Sequence, residues 1–65
     1  MNVSMIVDPA NNNFLTPRYK WTPKMDKARV FIDSGLAREI RSSVGKKQNK
    51  KLIIQEFELV KIKET

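Results

Sequence analysis

The 65-residue sequence contains no cysteine and no histidine. These absences exclude disulfide bonds, thiolate nucleophiles, zinc sites built from Cys and His, and general acid–base catalysis by imidazole. The two glycines, Gly35 and Gly45, lie ten residues apart, so there is no Gly-rich loop that could cradle phosphates. We therefore expect a protein that is not an enzyme and that uses no cofactor or metal.

Long hydrophobic runs are also lacking. No segment approaches the roughly 18 apolar residues that span a bilayer. The opening residues MNVSMIVDP hold an apolar stretch that is too short for a signal-peptide core, with no basic residue before it. We expect a soluble intracellular protein that does not contact a membrane.

The apolar residues that are present come in clusters separated by turn-forming or charged segments. The chain is 40% hydrophobic and 31% charged, and it contains five aromatic residues. A disordered basic tail would lack this pattern. We expect a single small domain over residues 1–65, although so small a core is only marginally stable.

Three strands are predicted by alternation of apolar and polar residues. In the first, Val3, Met5 and Val7 alternate with polar residues, and Ile6 is the exception. The second runs from Phe14 to Trp21, where Pro17 indicates an edge or a break. The last spans residues 52–62, with a change of phase near Leu59 that suggests a bulge.

One helix is predicted between the second and last strands. It begins at Asp33 or Ser34, which are both competent N-caps, and ends at Gly45, followed by a polar loop over residues 46–51. Its apolar stripe comprises Leu36, Ala37, Ile40 and Val44. Residues 24–27 are expected to form a single turn and residues 28–32 a short β segment. The fold class is α+β, a small three-stranded antiparallel sheet with one helix packed on one face (β-β-α-β).

The positive charge, formally +6 overall, is concentrated in two stretches. Residues 18–29 hold five bases against one acid, and residues 38–51 hold six against one. A concentrated basic surface attracts acidic proteins and phosphate backbones. The candidate partner-binding residues are Arg18, Lys20, Arg38, Arg41, Lys46, Lys47, Lys50 and Lys51.

Two aromatic residues decide between the classes of partner. In a continuous second strand, Tyr19 and Trp21 share the parity of Leu15, so we expect both rings in the core and Arg18 and Lys20 in solvent. That arrangement favours a protein partner. Rings exposed beside these bases would instead suit stacking on single-stranded nucleic acid, and this alternative stays open.

Two further features of the strands allow a functional interpretation. Glu56 and Glu58 share a face of the last strand, a spacing that could serve acid–base chemistry but is typical of a solvated strand face. The uncharged first strand and the long last strand could pair with a second copy through their edges, which leaves a homo-oligomer open.

Several short motifs resemble a class of small orphan proteins of bacteriophage and prophage genomes. They are Trp21-Thr22, the segment KARVF at residues 27–31, Ala37 on the helix, and the final strand IIQEFELV. The resemblance covers about residues 13–60 and carries no established activity or functional residues. It implies an accessory protein that binds a host macromolecule, for host takeover or to inhibit antiviral defence. A phage-encoded chain would act in the host cytoplasm.

Overall fold

The computed structural model describes residues 2–58. Within that range lie one α-helix and a four-stranded antiparallel sheet with the strand order β3-β2-β1-β4. The elements are β1 (Asn2–Asp8), β2 (Asn13–Leu15), β3 (Trp21–Thr22), a single 3-10 turn (Met25–Lys27), α1 (Ser34–Gln48) and β4 (Ile53–Glu58). The α+β class is confirmed, whereas the count of three strands and the order β-β-α-β are wrong.

The additional strand arises because the predicted second strand is broken by a turn. The Tyr19 N–H donates to the Thr16 carbonyl at 3.0 Å, and the Lys20 N–H donates to Thr16 Oγ1 at 3.1 Å. Pro17 is compatible with this turn because proline has no backbone N–H that would need a strand partner. The chain then reverses, so that Trp21 pairs with Leu15 in a short hairpin.

The helix begins as predicted and ends later. Asp33 Oδ1 accepts from the N–H groups of Gly35 at 2.8 Å and Leu36 at 3.4 Å, which confirms the N-cap. The predicted end at Gly45 is wrong, because α1 continues to Gln48 and Asn49 supplies the left-handed residue, with φ of 52°. Residues 46–48 are therefore helical. Gly45 instead permits a close approach, since a Cβ there would lie 3.0 Å from the Lys50 carbonyl oxygen.

The hydrophobic core lies between α1 and one face of the sheet. Its buried members are Ile6, Leu15, Phe31, Ala37 and Val44, and the half-buried Trp21, Ile40, Leu52 and Ile54 pack against them. In β1, Ile6 is the apolar residue that packs in this cluster, and Val3, Met5 and Val7 are buried on the other side of the strand. Because β1 is a central strand, both of its faces are buried, and its alternation did not show which one meets the helix.

The predicted β segment at residues 28–32 joins the sheet through one residue. Phe31 and Ser4 exchange two backbone hydrogen bonds of 2.8 Å, so this segment continues the line of β2 beside β1. Phe31 enters the core, whereas Val30 and Ile32 on either side of it are exposed. The predicted turn at residues 24–27 is also confirmed, as the 3-10 turn.

Among residues 2–58, the face of the sheet opposite α1 carries no charged residue, and we call it the uncharged face. Side chains alternate between the two faces along each strand, and residues paired across β2, β1 and β4 share a face. The pairing therefore shows which residues point away from the helix and lie on this face. They are Val3, Met5, Val7, Phe14, Val30, Ile32, Ile53, Gln55 and Phe57, together with Thr22 of β3, which pairs with Phe14.

The last strand is confirmed as far as Glu58, and the bulge predicted near Leu59 lies outside the described residues. Ile54 contacts the core, and Ile53 and Phe57 lie on the uncharged face. Among residues 2–58, no helix is long and apolar enough to cross a membrane.

Candidate functional site

A polar cluster ties the β1–β2 turn to the end of α1. Lys50 Nζ lies 3.0 Å from Asp8 Oδ2 and 4.8 Å from the centre of the Trp21 ring. The Trp21 indole N–H donates to Gln48 Oε1 at 2.9 Å. The ammonium of Lys50 thus has an anionic partner and an aromatic face within the protein. Of the predicted binding residues, Lys50 has a clear structural role.

Asp8 is the acceptor at the centre of this cluster. Besides Lys50, it accepts from the Ala10 N–H at 3.2 Å and from the Asn11 amide at 3.0 Å, and its side chain is buried. The Asn11 amide, followed by the Lys50 ammonium, holds the pKa of the Asp8 carboxyl below its ordinary value, against the opposing effect of burial.

The two aromatic residues of the predicted second strand have different environments. Trp21 packs against the core, as expected, with its N–H satisfied by Gln48. The expectation for Tyr19 is wrong, because its side chain is 51% exposed. Its backbone is left-handed, with φ of 59°, and this conformation costs a non-glycine residue about 1–3 kcal/mol. The turn therefore holds an aromatic ring in solvent at an energetic cost.

One shallow groove runs beside the last turns of α1. It has a volume of about 390 Å³, and its lining brings three predicted cations, Arg41, Lys46 and Lys50, to one place. We call it the Arg41 groove; its remaining lining residues are Ser42, Gly45, Asn49 and Leu52. The negative end of the helix dipole lies here, and Lys46 and Lys47 in the last turn compensate it.

A second groove, the Tyr19 groove, lies on the other side of the same helix end. It measures about 370 Å³ and is lined by Tyr19, Ser43, Val44, Lys47 and Gln48. Neighbouring positions on a helix point about 100° apart, which explains why Lys46 and Lys47 line different grooves. This groove therefore combines an exposed ring with one base, Lys47, and the exposed Arg18 and Lys20 flank Tyr19 in the sequence.

The other predicted cations lie around the two grooves. Arg38 is exposed one helical turn before Arg41, and Lys51 is exposed beside Lys50. Asp8–Lys50 is the one ion pair formed among residues 2–58. Within this part of the chain, Arg38, Arg41, Lys46, Lys47 and Lys51 have no carboxylate in salt-bridge range.

Acidic residues gather at the opposite end of the sheet. Glu56 and Glu58 pair with Ser4 and Asn2, at the start of β1, and Asp33 caps the helix close to the Ser4–Phe31 bridge. These acids lie at the end of the sheet away from the lysines that follow α1, whereas Asp8 lies at the lysine end and is paired there with Lys50. Glu56 and Glu58 are exposed, as a solvated strand face would be.

Sequence reasoning weighed Tyr19 as a stacking residue but placed its ring in the core, and the break of the second strand was not foreseen. The available signal was Thr16-Pro17, because Pro favours a turn and Thr can close it through its hydroxyl. The alternation of the surrounding residues concealed this turn. Comparison of the chain with protein-family models, with curated proteins and with solved structures found no match.

Proposed function

We propose that the protein is a non-enzymatic binding protein whose basic surface occupies a site on an acidic macromolecule. The observation that carries this proposal is the group of cations along and after α1 that have no ion-pair partner among residues 2–58. Free cations clustered at one end accelerate association with an anionic surface at low salt. The resemblance to small phage proteins adds a context, in which the partner is a host protein.

A matched pair of variants tests the position of the binding surface. Lys46→Gln/Lys47→Gln removes one charge from each groove. Lys24→Gln/Lys27→Gln removes two exposed charges around the 3-10 turn. Both variants have the same net charge. The proposal expects the first to lose a partner captured from bacterial lysate and the second to keep it.

The captured protein is then identified, purified and measured directly. Its association rate with the wild-type chain should fall as salt rises, and Lys46→Gln/Lys47→Gln should reduce the rate at low salt severalfold. Equal rates for the two double variants would contradict the proposal, because only total charge would then matter.

A second function, binding of single-stranded nucleic acid, is favoured by the exposed ring of Tyr19. A stacking platform requires an accessible aromatic face beside cations that hold the phosphates. The Tyr19 groove offers that combination, with Lys47 in the groove and the exposed Arg18 and Lys20 next to Tyr19 in the sequence. Trp21 does not contribute, since it is packed and hydrogen-bonded.

Fluorescence anisotropy with labelled oligothymidine and a duplex of equal length separates the two functions. Stacking predicts that Tyr19→Phe retains affinity for the single strand and that Tyr19→Ala loses about tenfold. Each lysine lost from a phosphate contact should lower the salt slope by about one. Absence of binding at physiological salt would exclude the nucleic-acid function and leave the protein partner.

A further inference from the structure

We propose that the uncharged face binds the same face of a second copy of the chain, forming a reversible dimer. The proposal is independent of the basic surface. It starts from the exposure of large apolar side chains on this face, where Ile32 is 72% exposed, Val30 48% and Ile53 46%. These three residues surround a buried central row, Val3, Met5 and Val7. Together with the half-buried Phe14 and Phe57, these side chains form an apolar surface of the kind that marks an interaction site.

The charge distribution selects the partner. The chain is 31% charged, yet among residues 2–58 every residue of the uncharged face is apolar except Gln55 and Thr22. An acidic partner has nothing to pair with here. A second copy brings an equally uncharged surface, and a two-fold axis makes the surface complementary to itself.

The position of the helix makes this pairing compatible with the net charge of the chain. Since α1 covers the other face of the sheet, face-to-face pairing directs both helices outward. The lysines in the last turn of each helix then lie on the outer sides of the dimer. The electrostatic repulsion between the two copies is therefore reduced. Binding of an acidic macromolecule remains sterically feasible in the dimer.

The size of the face sets the strength of the pairing. Three strands about 4.8 Å apart and five residues at about 3.3 Å each give a footprint of roughly 250 Å² per copy. Interfaces below about 1,200 Å² in total are weak or transient. The proposal is therefore a dimer that forms and dissociates with concentration.

Sedimentation equilibrium over roughly 5–500 µM, a range suited to weak interfaces, tests this directly. For the wild-type chain the average mass should rise from 7.6 kDa toward twice that value. Ile32→Glu should weaken association at least about tenfold, because it would bury an unpaired charge. It also lowers the net positive charge, so nonspecific repulsion cannot explain a loss of dimer.

Leu36→Glu is the matched control, since Leu36 is an exposed apolar residue on the helix, 41% exposed, outside the uncharged face. It should dimerise like the wild type. Ile32→Asn repeats the test without a charge, and circular dichroism confirms that each variant folds. Three results would overturn the proposal: a monomer at all concentrations, equal effects of the variants at positions 32 and 36, or growth beyond a dimer, which would indicate pairing through strand edges.

Discussion

Asp8 joins three parts of the chain through one carboxylate. It accepts hydrogen bonds from the turn that follows β1, and it pairs with Lys50, which follows α1. Lys50 in turn covers the ring of Trp21. Because these contacts require an ionised carboxylate, the protonation of Asp8 is linked to folding.

The first prediction concerns the stability of the fold in acid. The pKa of Asp8 is lower in the folded chain than its ordinary value of about 3.9. Its contribution is therefore complete above that ordinary value and is lost as the pH falls through the lower, folded pKa. Urea unfolding of the wild type at several pH values should show this loss.

Asp8→Asn should reduce stability at neutral pH and should flatten the decline in acid. Asp26→Asn is the control, because Asp26 is exposed in the 3-10 turn and forms no ion pair among residues 2–58. If Asp8→Asn kept the pH dependence of the wild type, the Asp8 carboxylate would not be the source of the loss of stability in acid.

The second prediction concerns the backbone of Tyr19. Glycine adopts a left-handed conformation without the penalty of about 1–3 kcal/mol that a non-glycine residue incurs. Tyr19→Gly should therefore be more stable than Tyr19→Ala by about 1 kcal/mol, a reversal of the usual preference for alanine. Both variants lack the ring, so the comparison isolates the backbone.

Denaturant midpoints of the two variants provide the measurement. Greater stability of Tyr19→Ala would mean that the turn relaxes out of the left-handed conformation when the ring is removed. The retention of a strained tyrosine by the wild type would then need no functional explanation.

At the scale of elements, α1 shows which boundaries are encoded locally. Its start depends on one side chain, Asp33, that bonds N–H groups two and three residues later, and this could be predicted. Its end could not, because Gly45 and Asn49 are both suitable for a left-handed residue. The choice depends on Lys50, whose N–H donates to the Gly45 carbonyl at 2.9 Å.

The third prediction tests the role of Gly45. Alanine is favoured over glycine in a helix by about 1 kcal/mol, but a Cβ at Gly45 would press on the Lys50 backbone carbonyl at 3.0 Å. At Gly35 the nearest atom is Asp33 Oδ1 at 3.2 Å, which belongs to a side chain that can shift. We expect Gly35→Ala to be neutral or stabilising and Gly45→Ala to be less stable than it by about 1 kcal/mol.

Thermal unfolding of the two variants checks this prediction, and each is the control for the other. A gain in stability at both positions would show that the segment after Asn49 moves freely away from the helix. The Arg41 groove, which includes Gly45 and Lys50, would then lack a fixed shape.

The sheet shows why alternation was an incomplete guide. The apolar residues of β1 predicted a strand, but its inward side depends on the pairing of Ser4 with Phe31 and of Ile6 with Ile54, which join distant parts of the chain. The candidate basic residues could likewise be found from composition. The pairing of Lys50 with Asp8 could not, because 42 positions separate them.

At the scale of the whole molecule, the two proposed surfaces differ in location and chemistry. The basic surface follows the end of α1, and the uncharged face lies across the sheet from that helix. The fifteen residues of α1 span about 22 Å, which exceeds the screening length of about 8 Å at physiological salt. The acidic residues near the helix start therefore neutralise little of the charge at its end.

The last prediction follows from this separation: added salt should change the two interactions in opposite directions. Binding of an acidic macromolecule should weaken from roughly 50 to 500 mM sodium chloride, because the lysine charges are screened. The dimer should strengthen, because its interface carries no charge and the repulsion between two chains of formal charge +6 is screened.

Sedimentation at both salt concentrations measures the dimer, and Ile32→Glu is the control that should associate at least about tenfold more weakly at each. The competing arrangement is a head-to-tail contact, in which the acidic end around Asp33 and Glu56 meets the lysines of another copy. That contact would weaken with salt. A fall in average mass at high salt would therefore assign self-association to the charged ends of the molecule rather than to the uncharged face.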